Sequence, residues 1–291
     1  MVSESLVSIG IPTRNGAERL GKAIKSVLAQ DHQDIELVIS DNASTDDTEE
    51  YCRALAETDS RIRYHRQPEN IGVLNNFIEV GRLAKGTFFR WMSDDDWIEP
   101  ICLSQSLQAF AEDERLVLVT SQIAYTGPDG RIQTGVYEGT GLGSDDPVER
   151  FTEMLRMLNE SHLLIDPVYG LIRREPMIAI RRRNILREDQ VFATKLALLG
   201  PWAHVPEVLS HRDWKDVTRG YLTERLGVPS WQAHVATTLQ CREMLHWLAE
   251  SDLTAEQHRR ARAAVYRMYL RREQLAVTRG GRKLIRMARG Q

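Results

Sequence analysis

Thr87-Phe88-Phe89-Arg90-Trp91-Met92-Ser93-Asp94-Asp95-Asp96-Trp97-Ile98-Glu99-Pro100 is the stretch whose reading decides the fold. An apolar, aromatic run with the character of a buried strand ends abruptly in three consecutive carboxylates. Like charges crowded at a strand end repel one another and lose solvation as water is excluded. Such an arrangement calls for a cation or for hydrogen-bond donors nearby. The alternative is a solvated acidic turn that caps the following helix.

The chain on the N-terminal side supplies the context. Leu6–Ile11 is a short apolar run closed by Pro12, as expected of a strand buried on both faces. After the turn at Thr13–Gly16, Leu20, Ala23, Ile24, Val27 and Leu28 fall on one helical face. Ile35–Ser40 reads as a second strand and runs into Asp41-Asn42-Ala43-Ser44-Thr45-Asp46-Asp47. A helix over Thr48–Glu57, a strand at Arg61–His65, the turn Gln67–Gly72 and a helix over Val73–Leu83 lead to the opening stretch. Strands alternating with helices in this way predict a mostly parallel, Rossmann-like α/β sheet flanked by helices. Ligands of such sheets bind beyond the carboxyl ends of the strands. Polar loops after Ile11, Ser40, His65 and Met92 therefore converge on one edge.

Further along, the pattern predicts a helix over 101–111, a strand at Leu116–Val119, a hairpin turn at Tyr125–Arg131 and a glycine-rich loop over 135–147. Beyond these come a helix near 148–159, a strand at Val168–Arg173 and an apolar helix opened by Arg187-Glu188-Asp189-Gln190. Two short closing strands are expected at Trp202–Val205 and Val208–His211, with helix from Trp231 onward. Gly227 and Pro229 mark a boundary, which divides the chain into a main domain over 1–226 and a C-terminal helical extension over 227–291. The main domain subdivides into halves at 1–100 and 101–226.

Composition excludes several classes of function. With 291 residues, 42% apolar, 27% charged and a net charge of −3, the chain is an ordinary globular one. No run reaches the roughly 18 apolar residues that span a bilayer. The N-terminus lacks the basic start of a signal peptide. Cys52, Cys102 and Cys241 are widely spaced and odd in number, which argues against disulfides or a zinc knuckle and for a reducing, cytoplasmic setting. From Ala255 onward eleven Lys or Arg face two Glu, a net of about +9 that leaves about −12 for the rest. The basic tail from Arg279 and the triplet Arg181-Arg182-Arg183 raise a nucleic-acid reading, but no nucleic-acid-binding motif accompanies them. A peripheral contact of the tail with an anionic membrane face is one expectation, and a solvated helix end or subunit contact is another.

The first turn, Pro12-Thr13-Arg14-Asn15-Gly16, has neither of the glycine patterns that cradle a pyrophosphate. Carboxylates at the ends of the second and fourth strands suggest instead that a divalent cation mediates binding of a diphosphate. Four segments taken together carry a resemblance: Val7–Gly16, Val38–Asp46, Glu69–Phe77 and the Ser93-Asp94-Asp95-Asp96-Trp97 stretch. In order and spacing the chain resembles the family 2 glycosyltransferases, densely over 5–100 and more thinly to about 214. The resemblance implies a GT-A fold, a nucleotide-diphosphate sugar donor (UDP-sugar by default, dTDP- or GDP-sugar otherwise), a divalent cation (Mn²⁺ or Mg²⁺) and inversion at the anomeric carbon.

Carried over by position, Pro12, Thr13 and Asp41 line the base and Asp94 the ribose. Asn15, Asn70, Gly72 and Asn76 complete the donor site. Asp95 takes the metal position of the family's DXD motif, with Asp96 beside it and His211 as a third ligand. Ser93 stands where the family often has Asp, which leaves open which of Asp94, Asp95 and Asp96 meets the metal. Asp189, with Glu188 as its rival, matches the general base; two acids complementing a helix N-terminus are the structural alternative. A silent nucleotide-sugar-binding protein and a nucleotidyltransferase are the competing functions. No segment encodes the acceptor.

Overall fold

The computed structural model describes residues 6–161, 163–214 and 217–288, and the side chains of 276, 277 and 279–288 fall outside that description. The side chains of the tail expected to meet a membrane or a partner therefore fall outside that description. Among the described residues, no helix is long and apolar enough to cross a membrane.

The first half follows the alternation read from the sequence. Strands β1 (Val7–Thr13), β2 (Ile35–Asp41), β3 (Ile62–Arg66) and β4 (Phe88–Trp91) alternate with helices α1 (Leu20–Leu28), α2 (Thr48–Thr58) and α3 (Val73–Leu83). β1 pairs with β2 and β4, and β2 with β3, all in parallel. Every residue of β1 and β2 is buried, because helices cover both faces of the sheet. The pleat then sorts side chains: Phe88 enters the core on one face, with Val7, Ile9 and Ile11, while Phe89 and Trp91 enter the core on the other.

The second half is mixed. Strand β5 (Trp97–Ile98), helix α4 (Cys102–Glu112), β6 (Leu118–Thr126) and β7 (Ile132–Gln133) are followed by α5 (Pro147–Glu160), β8 (Leu171–Arg173) and α6 (Arg174–Ile178). Helix α7 (Glu188–Leu199) and β9 (Trp202–Asp213) precede α8 (Arg219–Leu226), α9 (Gln232–Glu250) and α10 (Ala255–Ala288). The sheet runs β3-β2-β1-β4-β8-β6-β9-β5, with β7 added to β6. β8 is antiparallel to both β4 and β6 and so interrupts the parallel run at β4, and parallel pairing resumes between β6 and β9.

Two expectations change here. The two closing strands are one strand, β9, with Pro206 and Glu207 bulged between the pairs Ser121↔Val205 and Gln122↔Val208. Proline has no N–H to give to the ladder, so the chain bulges there rather than ending. The strand expected from Val168 begins only at Leu171, because Pro167–Tyr169 form a 3₁₀ turn that the Asp166 carboxylate caps at Val168 N–H.

The helices after Leu226 do not stand apart. Met244 and Leu248 of α9 and Ala261, Val265 and Met268 of α10 share one apolar cluster with Val148, Phe151 and Leu155 of α5 and Val191 of α7.

Candidate active site

The strand register places the site. Thr13 pairs with Asp41, and Asp41 with Arg66, so the loops after β1, β2 and β3 leave the sheet side by side. Asp41 is wholly buried. Its Oδ1 accepts from the Ser44 amide (2.9 Å) and hydroxyl, and its Oδ2 accepts from the Tyr64 hydroxyl at 2.6 Å. Ser44 Oγ in turn accepts from Asn15 N–H at 2.8 Å, and the Asn15 side chain accepts from Thr45 N–H at 2.9 Å. Asn15 (φ 51°) and Ala43 (φ 55°) are left-handed, a conformation disfavoured for residues with a Cβ and held here by this network.

Asn42 links the same loop to the turn after β3: its amide donates to Asn70 Oδ1 at 2.8 Å and its oxygen accepts from Ile71 N–H at 2.8 Å. Gly72 follows at φ 84°, where a side chain would be strained. Asn76 is buried, accepting from Ser40 Oγ at 2.7 Å and donating to the Ser40 carbonyl at 2.8 Å. Of the residues carried over as donor contacts, Asp41 and Asn76 are thus committed inside the fold, Asn15 and Asn70 are exposed, and all eight lie on one edge. Asp41 with both oxygens occupied and Asn76 with its amide spent on backbone serve here to shape the loops.

The acidic triplet divides three ways. Asp94 Oδ2 accepts from Thr13 Oγ1 at 2.7 Å and from Arg19 at 2.7 Å, which ties the end of β4 to the loop after β1. Gly16 lies under that contact: a Cβ there would sit 2.2 Å from Thr13 Oγ1 and 2.9 Å from Asp94 Oδ2. Gly16→Ala should therefore displace Asp94 and weaken nucleoside-diphosphate binding about tenfold, readable by calorimetric titration; unchanged affinity would show that Asp94 does not face the donor.

Asp96 is buried and accepts from Arg212 Nε at 2.9 Å. Burial pushes its carboxyl up to about 6, with Arg212 opposing and Asp95 adding to the shift. Arg212 also donates to Asp166 Oδ2 at 2.5 Å and lies 3.7 Å over the Tyr169 ring. Asp96 and His211, both expected beside the metal, thus have protein partners of their own. Side chains alternate along β9, so Arg212 reaches Asp96 while His211 turns away to stack on Trp97 (3.6 Å) and contact Glu99 through Nε2 at 2.9 Å.

Among the described residues no three His, Cys, Asp or Glu side chains form a ready-made metal site. Mg²⁺-type cations in nucleotide sites take one or two protein carboxylates and complete their shell with phosphate oxygens and water. Asp95, half-buried between Asp94 and Asp96, fits that donor set.

Helix α7 begins at the second acidic pair. Arg187 is left-handed (φ 69°, ψ 29°), at a cost of about 1–2 kcal/mol, and turns the chain sharply into the helix. Glu188 is buried and held by both arms of Arg182, at 2.7 and 2.5 Å. Arg182 in turn lies 4.2 Å over Phe192, and Arg183 pairs with Glu243 at 3.3 Å, so two members of the basic triplet are structural. Asp189 instead opens to solvent, with protein crowding its other sides. That crowding, with the nearby charges of Asp166 and Glu188, pushes its carboxyl up to about 6.

A line of charge thus runs from Asp96 through Arg212 and Asp166 to Asp189. Asp166 and Tyr169 gave no sequence signal, since a lone Asp before Pro reads as an ordinary turn. A cavity of about 670 Å³ lies elsewhere, between α5 and α10, and three of its arginines are already paired with carboxylates.

Comparison with known proteins matches this arrangement to a family. The profile of glycosyl transferase family 2 covers residues 8–181, more than half of the chain, and the chain belongs to that family. It is 32% identical over 149 residues to the GalNAc(5)-diNAcBac-PP-undecaprenol beta-1,3-glucosyltransferase of Campylobacter jejuni, covering 50% of this chain and 46% of that protein. It spans between 14% and 46% of the length of three curated relatives that it matches. Among solved structures, S. aureus TarS 1-349 in complex with UDP-GlcNAc superposes with a TM-score of 0.65 at 17% identity, over 90% of this chain and 72% of that one. The mannosyltransferase PcManGT from Pyrobaculum calidifontis, in complex with GDP-Man and Mn2+, superposes with a TM-score of 0.54 at 18% identity, over 90% of this chain and 69% of that one. These structures share the GT-A fold with this chain.

Proposed function

We propose that this member of glycosyl transferase family 2 transfers a sugar, with inversion, from a nucleotide-diphosphate donor to an acceptor hydroxyl or amine. The observation that carries the reading is the contrast within the second acidic pair. Glu188 is neutralised by Arg182, whereas Asp189 is exposed and feels the charge of Asp166, which Arg212 joins to Asp96 at the acidic strand end. A carboxylate in that place can take the acceptor proton as the acceptor oxygen attacks the anomeric carbon. The bond from that carbon to the diphosphate breaks on the opposite face.

The loops after β1, β2 and β3 hold the nucleoside, and Asp94 faces its ribose. UDP is the first choice of nucleotide, in keeping with the UDP-GlcNAc held by the TarS structure; GDP has a precedent in the mannosyltransferase. Asp95 would hold a divalent cation, which would supply positive charge to the leaving diphosphate.

Nucleotide release from UDP-, dTDP- and GDP-sugars, with Mn²⁺ or Mg²⁺ and with the metal chelated, tests this reading. One nucleotide should be preferred, and Asp95→Ala should lower turnover roughly 100-fold, the scale of losing one preorganised electrostatic contact. Undiminished turnover in Asp95→Ala would remove that residue from the mechanism.

A further inference from the structure

Helices α9 and α10 lie far along the chain from every residue assigned to the donor, yet their polar side chains converge on the turn that carries Asp189. Gln240 of α9 is wholly buried, and its amide donates to Gln190 Oε1 at 3.0 Å. Arg272 of α10 donates to the same Gln190 oxygen at 3.1 Å and to Gln240 Oε1. Its remaining contacts are the Asn159 side chain at 3.0 Å and the Leu158 carbonyl at 2.7 Å, at the end of α5.

On the other side of Asp189, Arg187 donates to Thr237 Oγ1 at 3.0 Å and to Gln240 Oε1 at 3.4 Å, both on α9. Leu186 N–H donates to the side chain of Gln232, at the start of α9, at 3.0 Å. Residues 186, 187 and 190 are thus each tied to the C-terminal helices, while Asp189 between them stays open.

Two features separate this from ordinary helix packing. A left-handed arginine is disfavoured and persists only where its surroundings hold it. Arg272 is a half-buried cation whose hydrogen-bond partners are amides and carbonyls, and Asp189 is among the charges that act on it. A guanidinium presents its donors in a rigid fork, so three segments bound to it are fixed relative to one another.

We propose that Gln240 and Arg272 are positioning residues, through which the C-terminal helices hold the first turn of α7 so that Asp189 meets the acceptor. This inference rests on Asp189 being the base. The segment after Leu226 is then a working part of the catalytic unit.

The test compares Gln190→Ala, Arg272→Lys and Asp189→Asn in the full chain. Gln190→Ala removes the shared acceptor from a partly exposed position and leaves the core intact. Arg272→Lys keeps the charge and removes the fork. Transfer kcat should fall about 10–100-fold in Gln190→Ala and Arg272→Lys, the scale of a misplaced catalytic group, with donor KM and nucleoside-diphosphate Kd unchanged. Unchanged kcat in both variants, beside an inactive Asp189→Asn, would overturn the positioning role alone. A parallel loss of donor affinity would overturn it too, since general damage and not positioning would then explain the result. Full activity in Asp189→Asn would instead remove the base on which the inference rests.

Discussion

Asp189→Asn should lower kcat by about 10²–10⁴-fold, the usual contribution of a general base, and leave the donor KM unchanged. The exchange is nearly isosteric, so the first turn of α7 keeps its shape. Loss of the favourable charge at the helix N-terminus is worth only about 0.3–1 kcal/mol and leaves folding intact. What disappears is the proton acceptor. Because the Asp189 carboxyl is pushed up to about 6, the wild-type rate should fall as pH drops through that value, where the carboxylate takes up a proton and can no longer accept one from substrate. The acid limb should be missing from the residual activity of the variant. Rates and pH profiles measured with saturating acceptor check both points, and an acid limb retained in Asp189→Asn would assign the proton transfer to another group.

How far the site was legible can be judged from particular residues. The parallel half was written in periodicity: Leu20, Ala23, Ile24 and Val27 were expected on one face, and all four are buried. The loops after β1, β2 and β4 were legible because parallel strands put their carboxyl ends on one edge. Division of labour among neighbouring acids was not legible. Asp95 from Asp96, and Asp189 from Glu188, differ only in which arginine reaches them, and Arg212 and Arg182 arrive from 116 and 6 residues away in sequence. That Arg212 reaches Asp96 while His211 stacks on Trp97 follows from strand alternation, which no local composition reports. The polar links of α9 and α10 to Gln190 were hidden for the same reason, since glutamines on a long helix read as surface.

Arg212 carries the largest stability prediction. It holds Asp96 and Asp166 together, and the side-chain exposures of 19% for Arg212 and 7% for Asp96 leave little solvent to screen that pair. Arg212→Met should therefore cost roughly 3–5 kcal/mol at pH 7.5, because it strands a buried carboxylate. The sign of the pH dependence follows from Asp96. Its folded pKa of about 6 lies above the ordinary 3.8, so the stability it contributes is fully present below about 4 and is lost as pH rises through about 6. Arg212 limits that loss, and without it the folded pKa climbs further. The deficit measured by denaturant unfolding should then be large at pH 7.5 and clearly smaller at pH 5, where Asp96 is protonated in the variant. Adding Asp96→Asn should restore part of the stability at pH 7.5, a coupling that a double-mutant cycle reads directly. An equal deficit at both pH values would place the cost in the lost stacking on Tyr169 instead. The same arginine joins Asp96, after β4, to Asp166 in the turn before β8, so the stabilised variant Arg212→Met/Asp96→Asn separates its two effects: if Arg212 also sets the spacing of these two segments, transfer stays impaired after stability has returned.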